Sequence, residues 1–431
     1  MTEEGLPMSL PSIAILHYSA SPVIGGVEAV IDAHVRLLVA AGYPVTVVAG
    51  RGAADALPAG CHFVEIAAMD TQHPAILAAS AQLDAGTVPA EFAALTAQLR
   101  TALEPILAEF DIVMAHNVLF KHFNLPLTAA LIELLDASRL PRTIAWGHDF
   151  TWTSPNSRSK VHDGYPWDLL RTYRREVTYV AVSVQRQREL AELLDIPPEQ
   201  IHVVYNGVDA GDLLGLSAEG ASLVQRLGVP DAGLFLLMPV RVTQAKNIEL
   251  ALAVVAELRR MGERPLLILT GPPDPHDARS MAYFHALQRR RAELGVEDAM
   301  RFVYESGPDP AEGYLIPPMV VGDLYRTADV LFMPSHREGF GMPVLEAGLA
   351  GVPVAASTAV PAAVELAGNS ALFFEPDEAP AAVARRLAAW LAANPVARLR
   401  RRTRQRYTWE AIFAHDIKPL LASTDRKEPA T

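Results

Sequence analysis

Short apolar runs alternate with longer amphipathic stretches along the chain. Ile13–His17 and Val45–Ala49 are almost unbroken apolar runs, which is typical of strands buried on both faces of a sheet. Between them, Val27–Ala41 carries apolar residues at helical spacing. The strand pattern returns at Ile112–Ala115, Thr143–Trp146 and Tyr179–Val182. This alternation predicts a parallel sheet covered by helices.

The alternation then starts again, which predicts a second sheet. Its strands are expected at Leu234–Val240, Pro265–Thr270, Arg301–Tyr304, Val330–Met333 and Val352–Ala356, and its helices at Ile248–Arg260 and Met281–Leu294. The segment Val208–Pro230 has scattered glycine and proline and no strong strand, so we place the domain boundary there. The length of 431 residues also suits two domains.

We therefore predict an α/β protein with two Rossmann-like domains that face each other across a cleft. The expected bounds are residues 1–207 and 208–400, with residues 401–431 as a final helix and a polar, disordered tail after Ser423. In such sheets, ligands bind at the carboxyl ends of the strands.

Composition narrows the possible partners. The net charge of -12 argues against a nucleic acid, because phosphate backbones attract basic surfaces. A single cysteine, Cys61, excludes an intrachain disulfide. Met1–Pro11 lacks a basic segment followed by an apolar core, and no run approaches the ~20 apolar residues that cross a bilayer. We expect a cytoplasmic protein without a signal peptide.

One basic stretch, Arg398–Arg406, stands out from the acidic background. A solvated helix face is the favoured interpretation. The alternative is a weak contact with an anionic membrane, which would make the protein peripheral at the inner membrane face.

The most informative run extends from His336 to Gly348 and contains two glutamates. Glu338 falls in a glycine-rich loop, and Glu346 falls one turn into the helix predicted to follow. Pro343 fits the first helical position, where its missing N–H costs nothing. Both carboxylates can accept hydrogen bonds from sugar hydroxyls.

The same run also suits an anion. Backbone N–H groups around Gly341, Met342 and Val344 are expected to point out of the positive end of the helix, where a phosphate is stabilised. A phosphate cradle beside two carboxylates matches a nucleotide sugar, because that molecule carries both phosphate and hydroxyl groups.

Two cations follow the first strand of the second series. Arg241 and Lys246 straddle the turn before a helix, with Asn247 predicted as the helix N-cap. They can neutralise a diphosphate, Arg241 as a planar fork and Lys246 as a point charge. Ordinary surface charges are the alternative, and their position at the carboxyl end of a strand favours function.

Candidate chemistry in the first half of the chain is less specific. Gly25-Gly26-Val27-Glu28 opens the first helix, and either a close ligand approach or a tight turn explains the glycines. His148 follows a strand and could bond a sugar hydroxyl or serve the fold, as could His17 and His116. Both interpretations stay open for all three histidines.

Metal chemistry is not expected. The sequence has no Asp-x-Asp pair and no histidine pair with metal-ligand spacing. We therefore predict no metal and no cofactor, with the charge of the diphosphate met by Arg241, Lys246 and backbone N–H groups.

Taken together, these residues resemble the retaining glycosyltransferases of family 4, which have the GT-B fold. The strongest resemblance is to that family's Glu-x7-Glu signature with its flanks. It runs over Leu324–Val330, Pro334-Ser335, Glu338–Gly341, Glu346 and Pro353, with further matches at Gly25–Glu28, His148, Val204–Asp209, Arg241 with Lys246, and Tyr407–Trp409.

The resemblance implies a role for each matching residue. Glu346 would hold the ribose hydroxyls, Glu338 would face the donor sugar, and His148 would contact its far hydroxyls. The final helix would cross back to the N-terminal domain. The implied catalytic residues are Glu338, His148, Arg241 and Lys246, and the implied donor-binding residues are Gly25, Gly26, Arg241, Lys246, Glu338, Gly339, Phe340, Gly341, Met342 and Glu346.

The implied activity is transfer of a mannose-type or glucose-type sugar from a nucleotide diphosphate, with retention, to a glycan, polyol or lipid-linked acceptor. The chain departs from the family pattern at Val240, at Asn247 and in a long segment, Ser306–Val321. Rival hypotheses are a GT-B-like phosphorylase, a nucleotide-sugar epimerase, a non-catalytic partner subunit and a dehydrogenase. Trp152, Tyr165 and Trp167 either stack on an acceptor or belong to the core.

Overall fold

A computed structural model of the chain describes residues 10–309 and 312–423. The chain divides into two compact units, the first formed by Met1–Gly207 with Ile412–Thr431 and the second by Val208–Ala411. Residues 412–423 therefore belong to the same unit as residues 10–207. The predicted polar tail after Ser423 lies outside the described residues. So do most of Met1–Pro11, where no signal peptide was predicted, and Pro310 of the segment Ser306–Val321.

The first unit is built on a fully parallel sheet of seven strands. Its central strands are buried along their whole length, which requires helices on both faces and explains their continuous apolar sequence. The strands are β1 Ile13–His17, β2 Val45–Ala49, β3 Cys61–Glu65, β4 Ile112–His116, β5 Arg142–Gly147, β6 Val177–Ala181 and β7 Ile201–Val203.

The helices of the first unit cover this sheet. The α-helices wholly within it are α1 Gly26–Ala40, α2 Pro74–Asp84, α3 Phe92–Leu107, α4 Leu125–Asp136, α5 Val184–Leu194 and, near the end of the chain, α15 Lys418–Ala422. The last helix is tied down by Arg142, whose guanidinium donates to the carbonyl oxygens of Leu420 and Leu421 at 2.7 and 2.9 Å.

The second unit contains a parallel sheet of six strands. They are β8 Leu234–Met238, β9 Pro265–Leu269, β10 Met300–Phe302, β11 Val330–Met333, β12 Val354–Ser357 and β13 Ala371–Phe374. The helices are α6 Ala210–Leu214, α7 Ala218–Arg226, α8 Ile248–Arg260, α9 Ala278–Glu293, α10 Pro318–Thr327, α11 Met342–Ala350, α12 Pro380–Ala393 and α13 Pro395–Arg406, with α14 Trp409–Ile412 at the unit boundary. Across the described ranges, every helix is too short or too polar to cross a membrane.

Both sheets reverse their strand order at one point. The orders are β3-β2-β1-β4-β5-β6-β7 and β10-β9-β8-β11-β12-β13, so the reversal lies between β1 and β4 in one unit and between β8 and β11 in the other. In open parallel sheets, the loops at the carboxyl ends of these two neighbouring strands separate and leave a ligand site. The predicted pair of Rossmann-like domains is confirmed.

The differences from the predicted elements fall at edges and boundaries. The edge strand β3 is half-exposed, and the edge strand β13 is only partly buried, so neither has the apolar run that marks a central strand. The predicted boundary segment, Val208–Pro230, contains two helices that were not predicted, α6 and α7. Strand β8 ends at Met238 rather than Val240.

Three arginines of α13 bind groups elsewhere in the second unit instead of facing solvent. Arg404 binds the fully buried carboxylate of Asp329 at 2.6 Å, and Arg401 donates to the Gly233 carbonyl at 2.8 Å. Arg400 donates to the Arg326 carbonyl. A buried carboxylate needs such a partner because desolvation of an unpaired charge is costly. The prediction of a solvated face is therefore wrong for these three arginines.

Candidate functional site

Two loops meet at the strand reversal of the second unit. One follows β8 and carries a short turn, Gln244–Lys246, and the other follows β11. The backbone N–H of His336 donates to the Ala245 carbonyl at 2.9 Å and so joins the two loops. The loop of the cations and the loop that carries Glu338 therefore lie side by side.

An ion pair forms across these loops. Lys246 Nζ lies 2.6 Å from Glu338 Oε1, and Ser335 Oγ donates to the same oxygen at 2.9 Å. Ser335 is buried and is one of the residues that holds the carboxylate in place. An ammonium has three donors, so Lys246 keeps donors for a second acceptor.

The second glutamate is held by a phenol. Tyr325 in α10 donates from its hydroxyl to Glu346 Oε2 at 2.6 Å. Burial and the neighbouring carboxylate raise the pKa of Tyr325 above its usual range, so the phenol stays protonated and keeps donating. Glu346 itself is exposed, and Tyr325 fixes one of its oxygens while the other can serve a ligand.

Helix α11 begins beside this pair. Gly341 has φ of 102°, and a Cβ there would lie 2.7 Å from a Val360 side-chain carbon, so only glycine fits. The helix starts at Met342, which places Pro343 in its first turn but not at its first position. The prediction of a free N–H at Val344 is wrong, because that group donates to the Gly341 carbonyl at 3.0 Å.

Asn247 does not act as the predicted side-chain cap. Its amide instead donates to the Pro376 carbonyl at 2.8 Å, and its backbone is left-handed with φ of 53°. Asparagine tolerates this conformation better than most residues, so Asn247 suits a position whose backbone otherwise favours glycine.

Arg241 differs from Lys246, Glu338 and Glu346 because its side chain makes no contact of the kinds described above. Its side chain is exposed and has no hydrogen bond or ion pair to any residue that the structure describes. It lines a pocket of about 430 Å³ with Thr243, Asp274 and Tyr283, and neither predicted glutamate lines that pocket. The guanidinium is available to an anion at the carboxyl end of β8.

The glycine loop lies in the first unit, where β1 leads into α1. A Cβ on Gly25 would lie 2.1 Å from Glu28 Oε2, whereas Gly26 has open space around it. Gly25 is therefore needed because the Glu28 carboxylate folds back over it. Gly26 leaves room for a ligand, as the sequence allowed.

His148 belongs to a stacked group of histidines in the first unit. Its Nε2 lies 3.0 Å from His116 Nδ1, and the two rings stack with centroids 5.3 Å apart. Burial lowers the pKa of His148 to about 3, and the pKa of His34 likewise to about 3. His148 is therefore neutral at pH 7 and acts as a hydrogen-bonding group rather than a cation.

The aromatic segment of the first unit belongs mostly to its core. Trp152 and Trp167 are buried, and Trp152 donates from Nε1 to the Trp167 carbonyl at 3.2 Å. Only Tyr165 is exposed. Of the three aromatic residues, the two tryptophans are thus unavailable for stacking on an acceptor.

The predicted site residues divide between the two units. Gly25, Gly26 and His148 lie in the first unit, and Arg241, Lys246, Glu338, Gly339, Phe340, Gly341, Met342 and Glu346 lie in the second. The structure brings Lys246 to Glu338. Ser335 and Tyr325 hold the two glutamates, and neither role was predicted, because a hydrogen bond between two elements leaves no periodic signal in the sequence. Within the described ranges, no His, Cys, Asp and Glu side chains form a group suited to a metal ion.

Comparison with known families decides the assignment. A family model described as "Glycosyl transferases group 1" matches residues 222–408, and one described as "Glycosyltransferase Family 4" matches residues 24–212. The chain belongs to glycosyltransferase family 4. The match over residues 24–212 contains six of the seven strands of the first sheet, β2 to β7, and the match over residues 222–408 contains all six strands of the second, so the family's GT-B fold agrees with the two Rossmann-like units.

Several curated relatives are named D-inositol 3-phosphate glycosyltransferase. That of Thermobispora bispora is 32% identical over 183 residues, which is 42% of this chain and 39% of the relative. That of Streptomyces scabiei is 29% identical over 213 residues, 48% of this chain and 44% of the relative. The matched part of the chain thus spans about two fifths of the length of these relatives.

Solved structures with a similar course of the chain include a glycosyltransferase from Rickettsia africae and a sucrose-phosphate synthase from Thermosynechococcus elongatus. Each is 16% identical to this chain and covers 96% of it. The match covers 100% of the Rickettsia chain and 99% of the Thermosynechococcus chain. The TM-scores are 0.34 and 0.37, too low to transfer the role of any residue to this family member.

Proposed function

We propose that this family-4 member transfers a sugar from a nucleotide diphosphate sugar to an acceptor hydroxyl with retention of configuration. The observation that supports this most is the strand reversal of the second unit, where Lys246 pairs with Glu338 at 2.6 Å. Arg241 and Glu346 belong to the same two loops and their helices. Two cations suit a diphosphate, and two carboxylates suit hydroxyl groups.

The roles follow from the contacts. Glu346, fixed by Tyr325, presents an oxygen to the two ribose hydroxyls. Glu338 is restrained by Lys246 and Ser335, so it faces the donor sugar in one orientation. Lys246 can keep its bond to Glu338 and still donate to a phosphate oxygen.

Cleavage of the donor bond leaves negative charge on the departing diphosphate. Arg241, Lys246 and the N-terminus of α11 are positioned at the carboxyl ends of β8 and β11, where they would stabilise that charge as it develops. Interactions that strengthen in the transition state lower the barrier to transfer. No metal or cofactor is part of this proposal.

The donor sugar is of mannose or glucose type, and the acceptor is a glycan, polyol or lipid-linked hydroxyl, with the name of the inositol-phosphate relatives supporting a polyol. His148 contacts the sugar. A cytoplasmic location is expected. A membrane contact at α13 would involve the exposed Arg398, Arg402 and Arg406 with Val396 and Leu399, because Arg400, Arg401 and Arg404 bind groups within the second unit.

A thermal-shift panel of UDP, GDP and ADP sugars tests the proposal. A ligand present at 100 times its Kd stabilises the folded state by about 2.7 kcal/mol, which is easily measured. One nucleotide series is expected to raise Tm, with the free diphosphate also active because the ribose and phosphate contacts remain. If no series raises Tm, the proposed function is wrong.

A further inference from the structure

The end of strand β4 carries a buried histidine, His116, that contacts residues at the ends of both neighbouring strands. His116 is the last residue of β4, pairs with Trp146 of β5 and is fully buried. Its carbonyl oxygen accepts from His17 Nδ1, at the end of β1, at 2.9 Å. Its own Nδ1 lies 3.0 Å from Nε2 of His148, which follows β5. His116 therefore joins the carboxyl ends of three adjacent strands.

Both rings in the contact between His116 and His148 carry a single proton. Burial lowers the pKa of His116 well below its ordinary value, and it lowers the pKa of His148 to about 3. Two neutral imidazoles share a hydrogen bond only if one donates its N–H and the other accepts with a lone pair. The contact therefore allows two arrangements, which differ in the nitrogen of His148 that carries the proton.

The second nitrogen of His116 distinguishes the two arrangements. Its Nε2 is buried and has no hydrogen-bond partner among residues 10–309 and 312–423. If His148 donated to Nδ1, the proton of His116 would lie on Nε2 as a buried N–H without an acceptor. Trp146, whose ring stacks on His116 with centroids 5.5 Å apart, already has such an N–H at Nε1. Buried N–H groups without acceptors are rarer than acceptors without donors, so His116 is the residue that donates.

The backbone of His148 is also held from the end of β4. Asn117 Oδ1 accepts from the backbone N–H of His148 at 2.9 Å. The backbone N–H of Asn117 donates to the Trp146 carbonyl at 2.9 Å, which continues the pairing of β4 with β5. Asn117 has φ of 61°, a left-handed conformation that asparagine tolerates. The ring and the backbone of His148 are thus fixed by two consecutive residues.

The other nitrogen of the His148 ring remains for a ligand. His148 is half-buried, whereas His116 is fully buried. Nδ1 of His148 makes no hydrogen bond to any residue that the structure describes. Because Nε2 accepts from His116, the proton of His148 lies on Nδ1. His148 can therefore donate to an oxygen of a ligand, but it cannot accept from a hydroxyl.

We propose that His116 is a positioning residue for sugar transfer, which donates from Nδ1 to His148 Nε2 and so makes His148 a hydrogen-bond donor to the transferred sugar. The inference rests on the proposed function, in which His148 contacts the sugar. It adds the direction of that hydrogen bond and the residue that determines it.

Nitrogen NMR of the full chain with isotopically labelled histidine rings tests this direction without a substrate. The spectrum distinguishes a ring nitrogen that carries a proton from one that carries a lone pair. Signals that disappear in His148→Gln and in His116→Asn assign the two rings. We expect both His116 and His148 to carry the proton on Nδ1 at neutral pH. A proton on Nε2 of His148 overturns the inference.

Two substitutions of His116 separate its hydrogen bond from its packing. Phenylalanine keeps a ring against Trp146 but has no N–H, whereas asparagine is smaller and keeps an N–H donor. We expect His116→Phe to lower kcat about tenfold, because His148 loses its fixed orientation, with the Kd of nucleoside diphosphate unchanged. His116→Asn should retain a higher kcat than His116→Phe.

A structural role of His116 predicts the opposite order. Asparagine leaves a cavity at a fully buried site and would then be the more harmful change. A kcat for His116→Phe equal to that of the wild-type chain, or above that of His116→Asn, overturns the inference.

Thr128→Val is the matched control. Thr128 is fully buried in the same unit, and its hydroxyl donates to the Val118 carbonyl at 2.7 Å. Valine has nearly the same shape, so the change removes one buried hydrogen bond away from His148. It should lower Tm but leave kcat within about twofold of the wild-type value.

The spectrum and the nucleotide titration separate two kinds of failure. If no nucleoside diphosphate raises Tm and no sugar is transferred, the proposed function fails. If transfer occurs but His148 carries its proton on Nε2, only the assignment of His116 fails.

Discussion

The two units reverse their strand order in the same way, but they place different chemistry at that point. In the second unit, Lys246 pairs with Glu338, Arg241 lies in the loop that follows β8, and Glu346 lies in α11. In the first, a neutral His17 and Glu28 line a cavity of about 240 Å³, and none of its described lining residues is a lysine or an arginine. A site with cations suits a diphosphate. A site with several hydrogen-bond acceptors suits hydroxyl groups, which donate.

This difference shows how one topology supports two functions within a chain. The parallel sheet fixes where a ligand can bind, namely at the carboxyl ends of two neighbouring strands. The side chains on the loops then decide which ligand binds there.

The largest effect is expected for Lys246→Ala. The change removes a cation from the proposed diphosphate site and leaves the Glu338 carboxylate without its 2.6 Å partner. We expect kcat/KM for transfer to fall about 10³-fold, as for loss of a group that stabilises transition-state charge. Steady-state kinetics with the stabilising donor measures it.

Lys160→Ala is the matched control for that change. Lys160 also forms an ion pair, 3.3 Å from Asp84, but it is half-exposed and lies in the first unit. Its loss should leave kcat/KM within about twofold of the wild-type value, because an exposed ion pair contributes little to stability. A similar kcat/KM for Lys246→Ala and Lys160→Ala would remove the basis for a cationic donor site.

Acid is expected to destabilise the first unit selectively. In the folded chain, the pKa of His34 and the pKa of His148 are both about 3, below the ordinary value of 6.5. Between pH 3 and pH 6.5, the unfolded chain therefore binds more protons than the folded chain. Stability is therefore present above pH 6.5 and falls as the pH drops towards 3. At pH 5 the loss is about 2 kcal/mol for His34 alone.

Hydrogen exchange resolves this loss by unit. Amides of β1, β4 and β5 should lose protection between pH 7 and 5 before those of β8 and β9, once intrinsic exchange rates are corrected. His34→Gln should reduce the pH dependence of Tm. Equal loss of protection in both sheets would contradict the account of the histidine group.

A smaller effect is expected for Tyr325→Phe. The substitution keeps the ring and removes the hydroxyl that donates to Glu346 at 2.6 Å. A hydrogen bond to a charged group contributes about 1.5 to 3 kcal/mol, so free nucleoside diphosphate should bind roughly tenfold more weakly. Isothermal titration calorimetry gives the affinity directly.

Tyr314→Phe is the control of matched chemistry. Tyr314 also donates to a glutamate, Glu219 Oε1 at 2.8 Å, in the same unit but outside the predicted donor residues. Its loss should leave nucleotide affinity unchanged. If both variants behave alike, Tyr325 does not orient a ribose-binding carboxylate.

Most of the fold could be predicted from the sequence because buried parallel strands are continuously apolar. The bounds of β1, β2, α8 and β11 agree with the predicted ones. The edge strands β3 and β13 were missed, since a strand with one neighbour is partly solvated and its pattern is mixed. The helices α6 and α7 were missed because glycine and proline weakened their periodicity.

The sequence singled out Lys246 and Glu338 by their motifs, but their contact is known only from the structure. The bond between Tyr325 and Glu346 joins two helices and could not be inferred from either one. Likewise, the side-chain amide of Asn247 binds Pro376, far away in sequence, instead of capping its own helix.

The most direct test of the central claim is the affinity of free nucleoside diphosphate for Glu346→Ala. Glu346 is assigned to the ribose, so removal of its carboxylate should weaken the free nucleotide and the nucleotide sugar alike. Loss of hydrogen bonds to a charged group predicts a roughly 30-fold rise in Kd, about 2 kcal/mol, by calorimetry. A Kd for both ligands equal to that of the wild-type chain would contradict the assignment of the donor site to the second unit.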